Sequence, residues 1–232
     1  MKNELIIDNK GTYSHFGITI RSKEIGIPQK NKIKQSVPYM NGTYDFSLLY
    51  SEQTYSEREL VYIFNIIGAN KEEMNIKKIE FLNWIMDKRK QKLIDNSINA
   101  FYFLAEAKEA SFTESRRHGE LTVKFSAYPF KISTLQDGHD IWDNFNFELD
   151  MVQETKFEIE NIKNIQLYNN GAIGINPIVV CSSNMEITKG NTTYKFNSGE
   201  TKSWSFKLDK GLNDLIIKGT GTIEFKWYKE VL

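Results

Sequence analysis

One cysteine in 232 residues, Cys181, excludes an intramolecular disulfide and any zinc site assembled from thiolates. Charge of one sign is missing too. Thirty Lys and Arg face thirty Asp and Glu, so no whole-chain field draws in DNA or an anionic membrane. No apolar run approaches the ~20 residues of a membrane span, and Leu5-Ile6-Ile7 is far too short for the core of a signal peptide. The expected setting is a reducing cytoplasm in which the chain stays soluble, without nucleic-acid recognition or membrane insertion. Asn41-Gly42-Thr43 and Asn191-Thr192-Thr193 then read as turns, because glycosylation needs a secretory route.

Catalytic signatures are also lacking. His15, His118 and His139 lie far apart, and none stands in a His-Glu-x-x-His or nucleophile-elbow context. Gly219-Thr220-Gly221 reads as a turn between strands, whereas a phosphate loop needs a strand-to-helix junction. Asp137-Gly138-His139-Asp140 gathers two carboxylates and an imidazole, but metal ligands must converge from several segments and a polar turn explains the cluster. Cys181 closes the run Pro177-Ile178-Val179-Val180 and reads as a small buried hydrophobe rather than a nucleophile. Glu158 and Glu160 alternate with Phe157 and Ile159, the pattern of a strand's solvated side rather than a glycosidase pair. The expectation is no enzyme, no cofactor and no metal.

What the chain does have is apolar surface of a β type. Apolar residues make up 40% and charged residues 26%, enough for real cores, and 15 Phe, 11 Tyr and 4 Trp favour the half-buried surface of a sheet. Length alone leaves one large β domain or two smaller ones open. Apolar bursts at Leu5–Ile7, Phe16–Ile20 and Ile25–Ile27 predict strands, followed by a polar, basic stretch from Gln29 to Ser36. Asn41-Gly42 is a hairpin signal, because both central positions of a type I′ turn need positive φ. Strands are expected at Phe46–Tyr50 and, fully buried, at Val61–Ile67.

One helix is predicted over about 71–92. Asn70 can cap it, Glu73 can complete a capping box, and Ile79, Leu82, Ile85 and Met86 share a face that Phe81 and Trp84 widen. Lys88, Arg89, Lys90 and Lys92 would then crowd the negative end of its dipole; a phosphate or partner site is the competing explanation. Phe101–Ala107 and Leu121–Ala127 predict two facing strands joined by the polar connection 113–119, and Pro129 closes the second. After the alternation of Phe145, Phe147, Leu149 and Met151, short strands are expected near 156–159, 165–168, 177–181, 185–188, 193–196, 203–208, 214–218 and 222–228. Turn residues such as Lys189-Gly190-Asn191 and Asp209-Lys210-Gly211 separate them.

The fold class is therefore mainly β. Residues 1-150 are expected to form an α+β domain with one main helix, and residues 151-232 an antiparallel β-sandwich or jelly roll, with the boundary near Asp150. Trp204 and Trp227 are the candidate carbohydrate or partner contacts of that sandwich. Their alternation with polar residues beside Phe206 and Phe225 is, however, how a core face looks.

The order of these elements resembles the distal tail proteins of tailed phages and prophages. The matching stretches are Phe16-Gly-Ile-Thr-Ile20, Val37-Pro-Tyr-Met-Asn-Gly-Thr-Tyr-Asp45, Leu60–Gly68 leading into the helix, Gly119-Glu-Leu-Thr-Val-Lys-Phe125 ending at Pro129, and the sandwich containing Pro177 and Gly211-Leu-Asn213. That resemblance implies a structural virion component at the tail tip, synthesised in the host cytoplasm. Its first domain would close into a homohexameric ring continuing the tail tube, and its galectin-like sandwich would project outward. The implied partners are neighbouring copies, the tail-tube protein, the tail-tip hub protein and, in some phages, a receptor-binding protein, although every sandwich loop here looks short. A carbohydrate-binding module of a phage or bacterial surface protein is the alternative, and a cell-wall hydrolase with an unfamiliar site is a third.

Overall fold

In a computed structural model of the chain, which describes residues 3–49, 52–98, 100–115, 118–138 and 152–232, two compact units form: Met1–Lys131 with Leu232, and Ile132–Val231. Asp150, the expected boundary, lies outside the described residues, as do Tyr50, His139, Asp140 and the alternating run from Phe145 to Met151. Strand dominates and one helix is long, as a mainly β chain requires.

The first unit contains β1 (Leu5–Ile7), β2 (Lys10–Gly11), α1 (Thr12–Phe16), β3 (Thr19–Ile25), β4 (Lys34–Gln35), β5 (Tyr44–Asp45), β6 (Arg58–Ile67), α2 (Lys71–Met86), β7 (Gln91–Asp95), β8 (Phe101–Ser115) and β9 (His118–Ala127). Antiparallel pairing orders one sheet as β2-β1-β7-β8-β9-β6-β3. Its register sets the faces, because directly paired residues point to the same side. Leu60, Tyr62, Phe64 and Ile66 of β6 face Phe125, Val123, Leu121 and Gly119 of β9 and are fully buried. Val61 and Ile63 stay partly accessible on the other face and Ile67 is exposed, so β6 is buried on one side only, not on both. Most of the polar stretch after Phe112 is strand as well. β8 and β9 remain paired out to Ser115 and His118.

Helix α2 covers the core face. The Asn70 carboxamide accepts the Glu73 N–H at 2.8 Å, while the Glu73 carboxylate accepts the Ala69 N–H at 2.7 Å, one residue ahead of the partner a capping box would use. Met74, Phe81 and Ile85 point into the core, and Phe81 meets Phe64 edge-on at 5.2 Å between ring centres. Phe16 of α1 packs against Phe81 and Trp84. Ile79 and Met86, expected inside, face outward with Ile76. The helix also stops at Met86, with Asp87 as its C-cap, instead of running to 92. Beyond Arg89 the chain alternates, with Leu93 and Asp95 inward, and this two-residue period places 91–95 in the sheet as β7. The basic cluster beyond the helix therefore has separate partners: Lys88 pairs with Asp8 at 2.8 Å, Lys90 with Glu57, and Lys92 sits over the Tyr102 ring at 4.4 Å.

One buried charge anchors this core. The Asp95 carboxylate accepts from Lys23 Nζ at 2.6 Å, Tyr62 Oη at 2.9 Å and the Ser97 hydroxyl and N–H at 2.7 and 3.0 Å. Burial alone would raise its pKa, but these donors together hold it below the ordinary carboxyl value. Burial and the Asp95 charge push the Tyr62 phenol up, so it remains a donor.

The second unit carries β10 (Lys131–Ser133), β11 (Lys156–Asn169), β12 (Ile178–Cys181), β13 (Met185–Lys189), β14 (Thr192–Phe196), β15 (Gly199–Lys202), β16 (Gly211–Lys226) and β17 (Glu230–Val231). β10 pairs with β17. The other strands form one antiparallel sheet, in the order β14-β13-β16-β12-β15 with β11 also on β16, curled around its own core. Several expected short strands are halves of two long ones. Gly219 and Gly221, read from sequence as a turn, lie inside β16 at φ 146° and 131°, facing Asn161 (φ 66°) and Ile159 of β11. A Cβ on Gly219 would press on Met185, and one on Gly221 on Ser182. The bend they permit sends the first half of β16 to β13 and the second to β12, which closes the core. The turn at Gly190-Asn191 does join β13 to β14, where Lys189 pairs with Thr192.

Replacing Asp95 by Asn is expected to cost about 2–3 kcal/mol in urea unfolding, less than the roughly 3–5 kcal/mol of a fully buried broken pair, because the Lys23 side chain keeps 28% of its surface in water. Because folding lowers the Asp95 pKa, its contribution is complete above the unfolded carboxyl range near ~3.9 and is lost as pH falls through the folded value. D95N should therefore show a shallower acid limb than the parent; equal limbs would contradict the role of this carboxylate.

Candidate interaction surfaces

Among the described residues, those with chemistry of their own are not brought together. His15 is exposed on α1 with Nδ1 accepting the Gly11 N–H at 3.3 Å, and His118 opens β9. Asp137 accepts from Gln153 at 3.0 Å, and its N–H donates to the Trp227 carbonyl at 2.9 Å in the turn through Gly138. Glu158 and Glu160 stand on the exposed side of β11. Among the described residues no three His, Cys, Asp or Glu side chains converge as a metal site would require, and no helix is long and apolar enough to cross a membrane. Cys181 is buried at the end of β12, where desolvation pushes its thiol up to about 11. At pH 8, Ellman's reagent should therefore modify Cys181 roughly 200-fold more slowly in the folded than in the urea-unfolded chain, the ratio of thiolate fractions for pKa values of about 11 and ~8.5. Equal rates would show the thiol to be accessible.

The two tryptophans separate. Trp227 is 2% exposed and lies in the second core with Phe206 and Phe225, which removes it from any surface contact. Trp204 is 90% exposed. No strand forms over 203–208; instead Asn176 Nδ2 donates to the carbonyls of Ser203, Trp204 and Phe206 at 3.2, 3.0 and 2.7 Å. Phe206 turns into the core on one side of this clamp, and the Trp204 ring is held in water on the other. The alternation of the two aromatics is thus split by a long-range hydrogen bond, which local sequence does not reveal.

Several exposed apolar residues lie on the excursion between β3 and β6. Gly26 N–H donates to the Glu59 carbonyl, and Lys30 and Tyr55 form a bridge, so the segment leaves the sheet as an arm. Farther out, Lys34 pairs with Asp45 and Gln35 with Tyr44 in a two-stranded ladder. The hairpin predicted at Asn41-Gly42 thus exists, but a longer loop closes it, with positive φ at Tyr39 and Gly42 rather than at a two-residue turn. The expected strand at 46–50 is a turn through Ser47–Leu49, in which the Ser47 hydroxyl accepts the Ile33 N–H at 2.9 Å. Ile33, Val37, Tyr39, Tyr44, Phe46 and Leu48 are all exposed. A two-stranded hairpin is at best marginally stable alone in water, and contiguous exposed apolar surface marks an interaction site. Beside the arm, β3 is an open edge, and its exposed Arg21, Lys23 and Glu24 discourage unselective pairing.

Residues 10–127 match the phage tail protein RIFT-related domain, Sipho_tail, and the chain belongs to that family of phage tail proteins. Over its full length it has the fold of the Dit protein (gp 19.1) of phage SPP1, described as a paradigm of the hub adsorption apparatus of phages that infect Gram-positive bacteria. The TM-score is 0.70 at 13% identity, with 100% of both chains covered. A component of the activated baseplate of phage p2 aligns more loosely, at TM-score 0.43 and 9% identity over 99% of this chain and 97% of that one. No curated protein matches the sequence.

Proposed function

We propose that this phage tail protein is a distal tail protein: six copies close into a ring at the tip of a phage or prophage tail tube and join the tube to the tail-tip or baseplate hub. Its role is assembly, not catalysis, and its partners are neighbouring copies, the tail-tube protein and the hub protein, with a receptor-binding protein as a further candidate. The observation that carries the reading is the correspondence of both units, in order and over the whole chain, with a Dit protein. The open edge β3 and the apolar arm support it, since a closed ring covers surfaces that a single copy leaves in water. In this reading the first unit builds the ring and the second projects from it. Purified protein should show rings in negative stain and copurify with the tail-tube protein. A chain that forms no ring and ignores the tube would contradict the proposal.

One observation favours a second role for the C-terminal unit. A tryptophan clamped through its backbone and exposed at its ring can stack on a sugar or fill a partner's pocket. Trp204→Ala should leave the thermal midpoint within about 1 °C, because the ring buries almost nothing, while abolishing glycan binding on host cell-wall arrays. Retained binding in the variant, or none in the parent, would remove the carbohydrate role.

A further inference from the structure

We infer that the arm between β3 and β6 docks on the outward face of α2 of a neighbouring copy, so that each contact in the assembly is arm to helix. The inference rests on the ring proposed above and names its interface. Two surfaces on the first unit carry it, and they complement each other.

The helix supplies the first. Met74, Phe81 and Ile85 form one stripe into the core, whereas Ile76, Ile79 and Met86 form a second apolar stripe on the far side, exposed to water. An apolar stripe on each of two opposite faces means that one of them lacks its partner. Glu72, Glu80 and Asp87 flank the exposed stripe, and a shallow groove lined by Leu82, Asn83, Met86 and Asp87 crosses its C-terminal end.

The arm supplies the second. Lys30, Lys32 and Lys34 stand on its ascending limb next to the exposed Ile33 and Val37, so it presents basic charge and greasy side chains together. Among the described residues, Lys30, Lys34, Glu80 and Asp87 form no ion pair within the chain. At the tip Tyr39 is held at φ 67°, a conformation unfavourable for a bulky side chain, with its ring fully in water. The run from Lys30 to Tyr39 can span at most about 30 Å, which sets the arm's reach toward an adjacent copy. Apolar stripe meets apolar arm, and acids meet lysines. Because arm and helix face are different patches, the contact is heterologous, the type that propagates around a ring.

The test reverses each charge set in the full-length protein. K30E/K34E reverses the arm and E80K/D87K reverses the helix face; all four positions are exposed, so circular dichroism and melting should match the parent. In sedimentation velocity over a concentration series, the parent should self-associate, and each variant alone should do so about tenfold or more weakly. An equimolar mixture should regain association, since acidic arms then meet basic helix faces and basic arms meet acidic ones. A parent that assembles while both variants assemble equally well overturns the arm contact and leaves the ring standing. Variants that lose tail-tube binding yet self-associate normally also overturn it, and assign the arm to the tube. A parent that stays monomeric at every concentration and forms no ring overturns both.

Discussion

The packing of α2 across one face of the sheet is the contact on which the rest of the first unit depends. The edge-on meeting of Phe64 and Phe81, extended by Phe16 and Trp84, decides which side of the sheet is core. It also determines that Tyr62 and Asp95 are sealed away from water, which makes the Lys23 ion pair necessary, since a buried carboxylate without a partner would be too costly. The same rotation of the helix that buries Met74 and Ile85 carries Ile76, Ile79 and Met86 outward. Core and assembly surface are two sides of one packing decision.

The opposite face of that sheet obeys a different logic. Arg21 pairs with Glu120 across to β9, Lys124 with Glu109 at 3.2 Å, and Lys108 with Glu106 at 2.6 Å. Each pair is exposed and weak by itself. Together they make a charge-balanced, wettable surface, consistent with a chain of zero net charge.

Much of this could be read from the residues alone. The alternation of Leu121, Val123, Phe125 and Ala127 gave β9 directly, and Asn70 marked the start of α2 through a bond the structure contains. The errors share a cause, which is tertiary context overriding a local signal. Apolar residues on both sides of α2 made Ile79 and Met86 look internal, because a sequence does not say which of two stripes meets the sheet. Glycines usually punctuate, yet Gly219 and Gly221 bend a strand against Met185 and Ser182, partners distant in the chain. Trp204 and Phe206 keep a strand's spacing while Asn176 holds their backbone in a loop. The arm carries the most conflicting local signals. Its lysines suggest a polar connection and its aromatics a strand, and only the structure shows that both are exposed on one excursion from the sheet.

A phage tail protein with this fold is defined by where it sits and in how many copies. The most direct measurement is a cryo-electron microscopy map of virions or prophage tails carrying the protein. The account predicts one ring of six copies at the distal end of the tube, with the first units closed around the axis and the second units outside. Copies distributed along the tube, or density for the chain nowhere in the tail tip, would contradict it.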